Sequence, residues 1–357
     1  MSESNDTGFS SKARTVAAPV TIAAIIALLV GLGLSRLVWN QKGSPASAEC
    51  SATDVAATVM KSVVTIAVAD KNGKAQGTGA GEFITSDGHI LTNNHVVSPA
   101  ANSGTITVQS VSGQRAEAEL IGRDPHTDIA VLKVDEITSR PITFADPPDV
   151  EVGQRVFAVG APLGLSDSMT AGIISGVNRT VRVPSDNDTT ALLVAAIQTD
   201  ASINPGNSGG TLADCHGHLV GVPTAGATAP DSTGAPVAGS IGLGFAIPAE
   251  AAKTIAKELI EDGQVTHGYL GAGVVPVQSE DGTALGLYIN VLTPDGPAAS
   301  AGLRKGDVIT KTDGAEIHDA DQLQAVTLTK RAGEQVTLTY IREGKTTTAD
   351  VTLGKLG

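Results

Sequence analysis

The sequence predicts a mostly β protein of about two domains, placed behind a single transmembrane helix. A chain of 357 residues is too long for one ordinary hydrophobic core, and its 41% apolar and 17% charged residues are typical of a globular protein. Short segments rich in β-branched residues alternate with Gly, Asn, Asp and Pro, which is the pattern of a sandwich or barrel. With 41 glycines and nine aromatic residues, the core is expected to consist of Val, Ile, Leu and Ala.

The transmembrane helix is predicted from an uncharged run over residues 16–34. At about 1.5 Å of rise per residue, such a run nearly matches the roughly 30 Å hydrocarbon layer of a bilayer. Lys12 and Arg14 precede the run, and Arg36 and Lys42 follow it. The charge balance therefore only slightly favours an N-terminus inside the cell.

We expect a cytoplasmic tail over 1–15, a signal anchor over 16–38 and a stem over 39–54. The rest of the chain would lie outside the cytoplasm, attached to the cell membrane by this single pass. The alternative is a cleaved signal peptide, because the Ala-Ser-Ala sequence at 46–48 has the form that signal peptidase accepts. That site lies farther from the apolar run than is usual, which favours the anchor.

The formal net charge of −13 argues against a nucleic-acid partner. Binding to phosphates depends on Lys and Arg side chains that release counterions, and an acidic surface would repel them. The sequence has no basic stripe with interleaved aromatic residues either. Nucleic acid is therefore not an expected partner.

The chain has two cysteines, Cys50 and Cys215. Under the predicted topology both would lie in an oxidising compartment, where disulfides persist. They either form a bridge that ties the stem to the following domain or remain two independent thiols. Pairing cannot be read from the sequence, so both alternatives stay open here.

The β-type segments fall into two blocks separated by a predicted helix. Over 248–262 the apolar residues recur at the spacing of one helix face, and Gly263 ends the pattern. We therefore expect a first domain over 55–248, a helical linker over 249–266 and a second, small α+β domain over 267–357. The predicted strands are 63–68, 81–84, 106–108, 129–134, 156–160, 172–177 and 219–222, then 287–289, 307–309 and 335–340, with a further helix near 319–329.

Three short motifs supply the side chains of a nucleophilic serine site. They are His95 in Thr-Asn-Asn-His-Val-Val, Asp128 in Thr-Asp-Ile-Ala-Val-Leu and Ser208 in Gly-Asn-Ser-Gly-Gly. A serine hydroxyl is a weak nucleophile until a base takes its proton, and a third group must hold that base in one tautomer. Each motif alone is weak, since a Gly-rich run is more often a turn and a lone histidine more often a packed residue. Together they predict a catalytic triad.

The order His, Asp, Ser is that of a chymotrypsin-like double β-barrel, and it differs from the order in the subtilisin and α/β-hydrolase folds. One barrel would supply His95 and Asp128. Gly206, Asn207 and Ser208 are the predicted oxyanion hole. Glycine at 206 lets its N–H point the same way as that of Ser208, so these two amides would be the donors.

Four stretches together resemble the HtrA/Deg family of serine proteases, and the resemblance extends from about residue 55 to the C-terminus. The stretches are 92–97, 128–132, 199–210 and 241–248. The resemblance implies a trypsin-like domain followed by one PDZ domain, and an endopeptidase that needs no cofactor. It also implies misfolded or regulatory extracytoplasmic proteins as substrates.

The stretches 268–271, 297–303 and 306–309 are similar to the family's PDZ pattern, and the resemblance implies roles for several residues. The loop of Tyr269, Leu270 and Gly271 would offer backbone N–H groups to a peptide C-terminus, which adds as a strand. Ser202, six residues before the nucleophile, would line the primary specificity pocket. Without a carboxylate there, small or medium aliphatic side chains are expected rather than Lys or Arg, unless Ser202 merely packs and other loops set the preference.

Family trimers are held by aromatic contacts near the start of the protease domain. No aromatic residue lies between Trp39 and Phe83, so the homo-trimer that the resemblance implies would have to form without such contacts. Two other functions also stay open. The chain could be a PDZ-bearing chaperone or scaffold with a dormant triad, since family members can hold the triad misaligned until a peptide docks. It could also be a dedicated signalling protease with one membrane substrate.

The sequence Cys-His-Gly-His at 215–218 suggests a metal site at first sight. A hairpin turn after the strand that follows Ser208 explains these residues without a metal. No third cluster of ligands accompanies the two histidines in the sequence. The sequence therefore predicts no metal.

Overall fold

The computed structural model describes residues 50–146, 148, 150–161, 168–186, 189–226 and 239–356. The predicted cytoplasmic tail, the signal anchor over 16–38 and most of the predicted stem lie outside these residues. Among the helices described, none combines the length and the apolar character needed to cross a membrane. The described chain is mostly β, as predicted, and forms two barrel-like sheets followed by a smaller C-terminal domain.

The first sheet has seven antiparallel strands, and side chains that alternate along them fill its core. Ile66, Val108 and Leu132 are fully buried there, as the alternating pattern of their strands requires. The strands are β1 (Val63–Ala69), β2 (Ala75–Phe83), β3 (His89–Thr92), β4 (Thr105–Ser110), β5 (Arg115–Glu117), β6 (Glu119–Asp124) and β7 (Ile129–Lys133). They pair in the order β5-β4-β1-β2-β3-β7-β6. The predicted strands in this region are confirmed.

The second sheet also has seven strands, and an additional pairing between the strand at one end and the strand next to the other end closes it into a barrel. They are β8 (Thr143–Phe144), β9 (Arg155–Gly160), β10 (Ser168–Pro184), β11 (Thr190–Thr199), β12 (Thr211–Ala213), β13 (His218–Gly226) and β14 (Gly244–Pro248). The order is β12-β9-β10-β11-β14-β13-β8, and β12 also pairs with β13. The sequence predicted only 172–177 of the long β10, because irregular pairing between β10 and β11 interrupts the alternation of side chains.

Helices α1 (Ala52–Val59), α2 (Asn94–Val97) and α3 (Ala249–Asp262) pack against the barrels, and a 3₁₀ turn (Ser98–Ala100) follows α2. Helix α1 begins within the predicted stem, and Ser51 caps it by accepting the N–H of Asp54 at 3.3 Å. The predicted helix over 248–262 is confirmed as α3. Its apolar face joins the core between the barrels, and Gly263 ends it in a left-handed conformation.

The C-terminal domain contains a sheet of its own with a helix alongside it. Its elements are β15 (Gly268–Tyr269), β16 (Ala272–Gln278), β17 (Ala284–Leu292), α4 (Pro297–Ser300), β18 (Val308–Thr312), β19 (Ala315–Glu316), α5 (Ala320–Thr329), β20 (Gln335–Arg342), β21 (Lys345–Thr352) and β22 (Gly354–Lys355). The sheet order is β16-β17-β18-β20-β21, with β19 on β18, while β15 pairs with β22. The predicted helix near 319–329 is confirmed as α5, which Asp319 and Gln322 start with a capping box.

Charged side chains join the C-terminal domain to the barrels. Arg331 contacts Glu258 on α3 at 2.6 Å, and Arg182 on β10 contacts Asp321 on α5 at 2.5 Å. A cavity of about 320 Å³ lies in the same junction, between β11, α3 and the end of α5.

Candidate active site

Strand β3 ends at Thr92 and helix α2 begins at Asn94, so His95 lies on the first turn after a strand. Two hydrogen bonds fix this turn against the one that carries Asp128. The side-chain amide of Asn93 donates to the Asp128 carbonyl at 2.9 Å, and the N–H of Asn94 donates to the same oxygen at 3.2 Å. The start of α2 is thereby held beside the hairpin of β6 and β7.

Asp128 lies in the turn between β6 and β7 with a φ of 62°. This left-handed conformation is one that Asp and Asn tolerate better than other residues with side chains. Its buried carboxylate accepts the N–H of His95 through Oδ1 at 2.9 Å, and Oδ2 lies 2.8 Å from His95 Nδ1. The carboxylate thus holds the imidazole by Nδ1 and leaves Nε2 for another partner.

Ser208 lies in the turn that precedes β12, and its backbone is bound to the first barrel. The N–H of Ala80 on β2 donates to the Ser208 carbonyl at 2.9 Å. Gly209 has a φ of 78°, and a Cβ at this position would collide with Thr92 and with the backbone of Ala80. Glycine at 209 therefore lets the serine turn approach the strand that leads to His95.

Thr224 on β13 contacts two members of the predicted triad, and the sequence analysis did not identify it. Its hydroxyl donates to Asp128 Oδ2, and its carbonyl accepts the Ser208 hydroxyl at 3.3 Å. No hydrogen bond joins Ser208 to His95, both of which the structure describes. Asp128 and Thr224 connect the three predicted side chains, and the Ser208 hydroxyl has to release the Thr224 carbonyl before it can donate to His95 Nε2.

The segment predicted as the oxyanion hole contains two backbone amides with no acceptor among the described residues. These are the N–H groups of Gly206 and Ser208, whereas the N–H of Asn207 donates to the Asn204 carbonyl at 2.9 Å. Gly206 adopts a φ of 102°, which residues with side chains avoid. Two unengaged amides beside a serine hydroxyl are the kind of donors that a tetrahedral oxyanion requires.

Two carboxylates act on the protonation of His95. Burial by itself lowers the pKa of His95, but the hydrogen bond and the charge of Asp128, together with the charge of Asp186, raise that pKa above its ordinary value. Asp186 accepts the side-chain amide of Asn94 at 2.9 Å and forms an ion pair with Arg123. Sequence reasoning missed Asp186, because no local motif marks it.

The other predicted site residue of the protease part, Ser202, is half-buried. Its carbonyl accepts the Thr170 hydroxyl at 3.1 Å and the side-chain amide of Asn207 at 3.0 Å. The first bond connects Ser202 to β10, and the second connects it to the turn that carries Ser208.

In the C-terminal domain, Tyr269, Leu270 and Gly271 line a cavity of about 180 Å³ beside β16 and α5. The carbonyls of Leu270 and Gly271 accept N–H groups from Ala298 and Thr293, at 2.9 Å and 2.8 Å. The N–H groups of Leu270 and Gly271 have no acceptor within the described part of the chain. The loop therefore presents amide donors beside an edge strand and a helix.

Cys50 and Cys215 form a disulfide with a Cα–Cα distance of 5.0 Å. It ties the residue before the N-cap of α1 to the turn between β12 and β13, where the sequence predicted a hairpin. The same turn gathers Asp214, His216 and His218, the one group of three potential metal-ligating side chains found in the residues that the structure describes.

Comparisons with known proteins agree with this organisation. Residues 78–222 match the family described as trypsin-like peptidase domain, and residues 268–353 match the PDZ domain family. The chain is 39% identical to the serine protease PepD of Mycobacterium tuberculosis, over 94% of this chain and 76% of PepD. It is 40% identical to a probable periplasmic serine endoprotease, DegP-like, of Halomonas elongata, over 77% of this chain but only 56% of that protein.

Solved structures are similar over most of the chain. The HtrA-type protease AlgW, solved with a tripeptide, superposes with a TM-score of 0.70 at 32% identity, covering 86% of this chain and 98% of AlgW. A serine endoprotease from Yersinia pestis gives a TM-score of 0.64 at 30% identity, with 86% and 98% covered. On these likenesses the chain belongs to the HtrA family of serine proteases, with a trypsin-like peptidase domain followed by a PDZ domain.

Proposed function

We propose that His95, Asp128 and Ser208 are the catalytic triad of a serine endopeptidase. The observation that carries this proposal is the 2.8 Å contact between Asp128 Oδ2 and His95 Nδ1. Thr224 links this pair to Ser208, because its hydroxyl donates to Asp128 Oδ2 and its carbonyl accepts the Ser208 hydroxyl. A buried carboxylate on Nδ1 selects the tautomer in which Nε2 can accept a proton.

In the proposed reaction, Ser208 Oγ attacks the carbonyl carbon of a peptide bond while its proton passes to His95 Nε2. The carbonyl oxygen becomes an oxyanion, which the N–H groups of Gly206 and Ser208 stabilise. His95 then gives its proton to the leaving amine, and an acyl-enzyme remains on Ser208. Water, deprotonated by His95, releases the second product and restores the hydroxyl.

We further propose that the chain is anchored in the cell membrane by 16–38 and works outside the cytoplasm. The uncharged run over 16–34 supports the anchor. The disulfide between Cys50 and Cys215 supports an oxidising compartment, because disulfides are rare in reducing ones. In this setting the PDZ domain would bind peptide C-termini at Tyr269, Leu270 and Gly271, and the substrates would be misfolded or regulatory proteins. A homo-trimer stays a prediction.

A PDZ-bearing chaperone with a dormant triad is the second candidate. The observation that favours it is the Ser208 hydroxyl, which donates to Thr224 and not to His95. If the catalytically active conformation is only a small fraction of the population, a ligand that binds this conformation more tightly must raise its population before the protein turns over substrate.

Cleavage of β-casein by the full chain tests the two candidates, with Ser208→Ala and the exposed-serine variant Ser112→Ala as a matched pair. The protease proposal expects cleavage by the wild type and by Ser112→Ala, with or without an added hydrophobic C-terminal peptide, and none by Ser208→Ala. Labelling of the wild type by a fluorophosphonate should be lost in the same variant. The chaperone is the better description if the wild type cleaves no β-casein with any added peptide, and if the wild type and Ser208→Ala suppress the aggregation of a client protein equally.

Membrane attachment is tested separately. The full chain should stay in the membrane fraction after alkaline carbonate washing, and its disulfide should be intact in cells. Recovery of the chain in the soluble fraction would remove the anchor from the proposal and leave the protease assignment untouched.

A further inference from the structure

We infer that Asp214, His216 and His218 form a binding site for a divalent transition-metal ion of the zinc type. The three residues belong to one hairpin, at the end of β12 and the start of β13. One ligand atom from each of them lies within 4.8 Å of the other two. The sequence motif indicated only the two histidines as ligands. In the structure the hairpin places the Asp214 side chain next to both of them, which adds a third ligand.

The distances fit coordination better than they fit hydrogen bonds. Asp214 Oδ2 lies 3.5 Å from His216 Nδ1 and 3.6 Å from His218 Nδ1. A contact of this length is too long for a normal N–H···O bond, which spans about 2.7–3.2 Å. Two ligands bound tetrahedrally at about 2.0–2.1 Å from Zn²⁺ are themselves roughly 3.3–3.4 Å apart, so the observed separations are close to two edges of a coordination tetrahedron.

The backbone of the hairpin holds the carboxylate in place for this role. The N–H groups of His216 and His218 both donate to Asp214 Oδ1, at 2.7 Å and 2.9 Å. Oδ1 is thereby occupied, and Oδ2 faces the two rings. Gly217, with a φ of 77°, allows the tight turn between the histidines. Metal-binding carboxylates are commonly fixed by hydrogen bonds of this kind, which orient the ligand before the ion arrives.

The donor set selects the class of ion. Two imidazole nitrogens and one carboxylate oxygen suit zinc and its neighbours in the first transition row, whereas Ca²⁺ and Mg²⁺ prefer sites made of oxygen atoms. The His216 side chain is 73% exposed and that of Asp214 only 14%. An ion would therefore be bound from the protein side by Asp214 and reach solvent beside His216, where water completes its coordination.

The position of the site links it to the disulfide. Cys215 lies between Asp214 and His216 and is bonded to Cys50. His216 and His218 also line a cavity of about 90 Å³ against α1 and the segment around Ile142. An ion bound by Asp214, His216 and His218 would stiffen this hairpin alone, while the disulfide ties the hairpin to the start of the described chain.

The test is a Zn²⁺ titration of the full chain, prepared without a polyhistidine tag and stripped of metal, followed by calorimetry. We expect one ion per chain and no binding of Ca²⁺ or Mg²⁺. His216→Asn, His218→Asn and Asp214→Asn should each weaken the affinity by more than about tenfold, since loss of an outer partner alone costs about 10- to 100-fold. Co²⁺ should give the intense visible absorption of a tetrahedral site in the wild type and not in these three variants.

His318→Asn is the matched control, because His318 Nε2 lies 3.8 Å from Glu316 on an exposed surface and has no third ligand of this kind nearby. This variant should bind Zn²⁺ as the wild type does. His216→Asn changes an exposed side chain, so its folding can be verified by its melting temperature without metal. Binding that persists in the double variant His216→Asn/His218→Asn, or no binding by the folded wild type, would overturn the inference.

Discussion

His267 and Asp124 form a buried pair across the junction of the PDZ and protease domains, with Nε2 and Oδ2 2.8 Å apart. Their side chains are only 2% and 3% exposed. His267 Nδ1 also lies 3.0 Å from the carbonyl of Leu328. Asp124 ends β6, four residues before Asp128, so the pair ties the PDZ domain to the hairpin that carries Asp128.

We predict that Asp124→Asn lowers stability at neutral pH and reduces the sensitivity to acid. Burial by itself raises the pKa of Asp124, but the hydrogen bond and charge of His267, with bonds from Thr127 and the N–H of His126, hold that pKa below its ordinary value. Such a carboxyl stabilises the fold above about pH 3.9 and loses this contribution as the pH falls through its lower, folded-state pKa. At pH 7 the variant should lose about 3–5 kcal/mol of unfolding free energy, as for a broken buried pair.

Urea unfolding between pH 3 and pH 7 measures both effects. Asp87→Asn is the control, because Asp87 also contacts a histidine, His89 at 3.2 Å, but is 65% exposed. Exposed pairs contribute little. Equal losses in the two variants at pH 7 would show that the junction does not depend on the buried pair.

The charge of Asp186 should be visible in the pH dependence of catalysis. Because the pKa of His95 is raised, the imidazole stays protonated above about pH 6.5 and cannot accept the Ser208 proton there. We expect kcat/KM of the wild type to rise with pH through a value above that of an ordinary histidine. Asp186→Asn removes one of the charges that raise the pKa, so its profile should move to lower pH.

Peptide hydrolysis from pH 5 to pH 9 checks this shift. The variant Asp350→Asn also removes one carboxylate, which in the wild type accepts the Thr337 hydroxyl in the PDZ domain. Its profile should coincide with that of the wild type. A shift of the same size in both variants would trace the effect to net charge and not to Asp186.

Thr224→Val should reduce kcat/KM by about 10- to 100-fold. The substitution keeps the branched shape and the carbonyl but removes the hydroxyl that donates to Asp128 Oδ2. A hydrogen bond to a charged group contributes about 1.5–3 kcal/mol, which is the basis of the expected loss. Thr65→Val is the comparison, since the buried Thr65 hydroxyl has no partner among the described residues. Rates that fall equally in both variants would assign the loss to packing.

Glu82→Gln should stabilise the protein, and more so at pH 7 than at pH 4.5. Glu82 on β2 is fully buried, and burial raises its pKa well above the ordinary value, while the neighbouring Thr211 hydroxyl opposes this only in part. Above about pH 4.3 the unfolded chain ionises this carboxyl and the folded one does not. Each pH unit then costs about 1.4 kcal/mol of stability, until the folded-state pKa is reached.

Melting temperatures at the two pH values test this prediction. Glu117→Gln, at an exposed position on β5, should change neither value appreciably. A gain from Glu82→Gln of the same size at both pH values would mean that ionisation of Glu82 is not the cause.

Many of the strands, the helices α3 and α5 and the side chains of the proposed triad could be inferred from the sequence because their signals are local. Apolar periodicity marks α3, and His95, Asp128 and Ser208 each lie within a short motif. The structure adds contacts that no sequence motif indicates. Thr224 follows Val-Pro in an ordinary strand, and its contacts with Asp128 and Ser208 arise only when β13 is placed beside the two turns.

Contacts between distant segments escaped prediction for the same physical reason. His267 and Asp124 are 143 positions apart, and neither residue type nor spacing indicates that a PDZ residue packs on a protease turn. Asp214 is different, since it lies only two positions before His216. The orientation of its carboxylate depends on two backbone N–H groups of a turn. The periodicity of apolar residues does not predict the conformation of such a turn.

The left-handed backbone conformation at Asp128 limits which residues can replace it, whatever the role of its carboxylate in proton transfer. Branched or bulky residues are strained at a φ of 62°, whereas asparagine and glycine are accommodated. In an evolutionary relative that lost the carboxylate at this position, we therefore expect mainly asparagine or glycine there, with both barrels still folded. Loss of the carboxylate at this position can therefore leave the fold intact. An inactive relative that still binds peptides is an evolutionary outcome that the conformation of this turn permits.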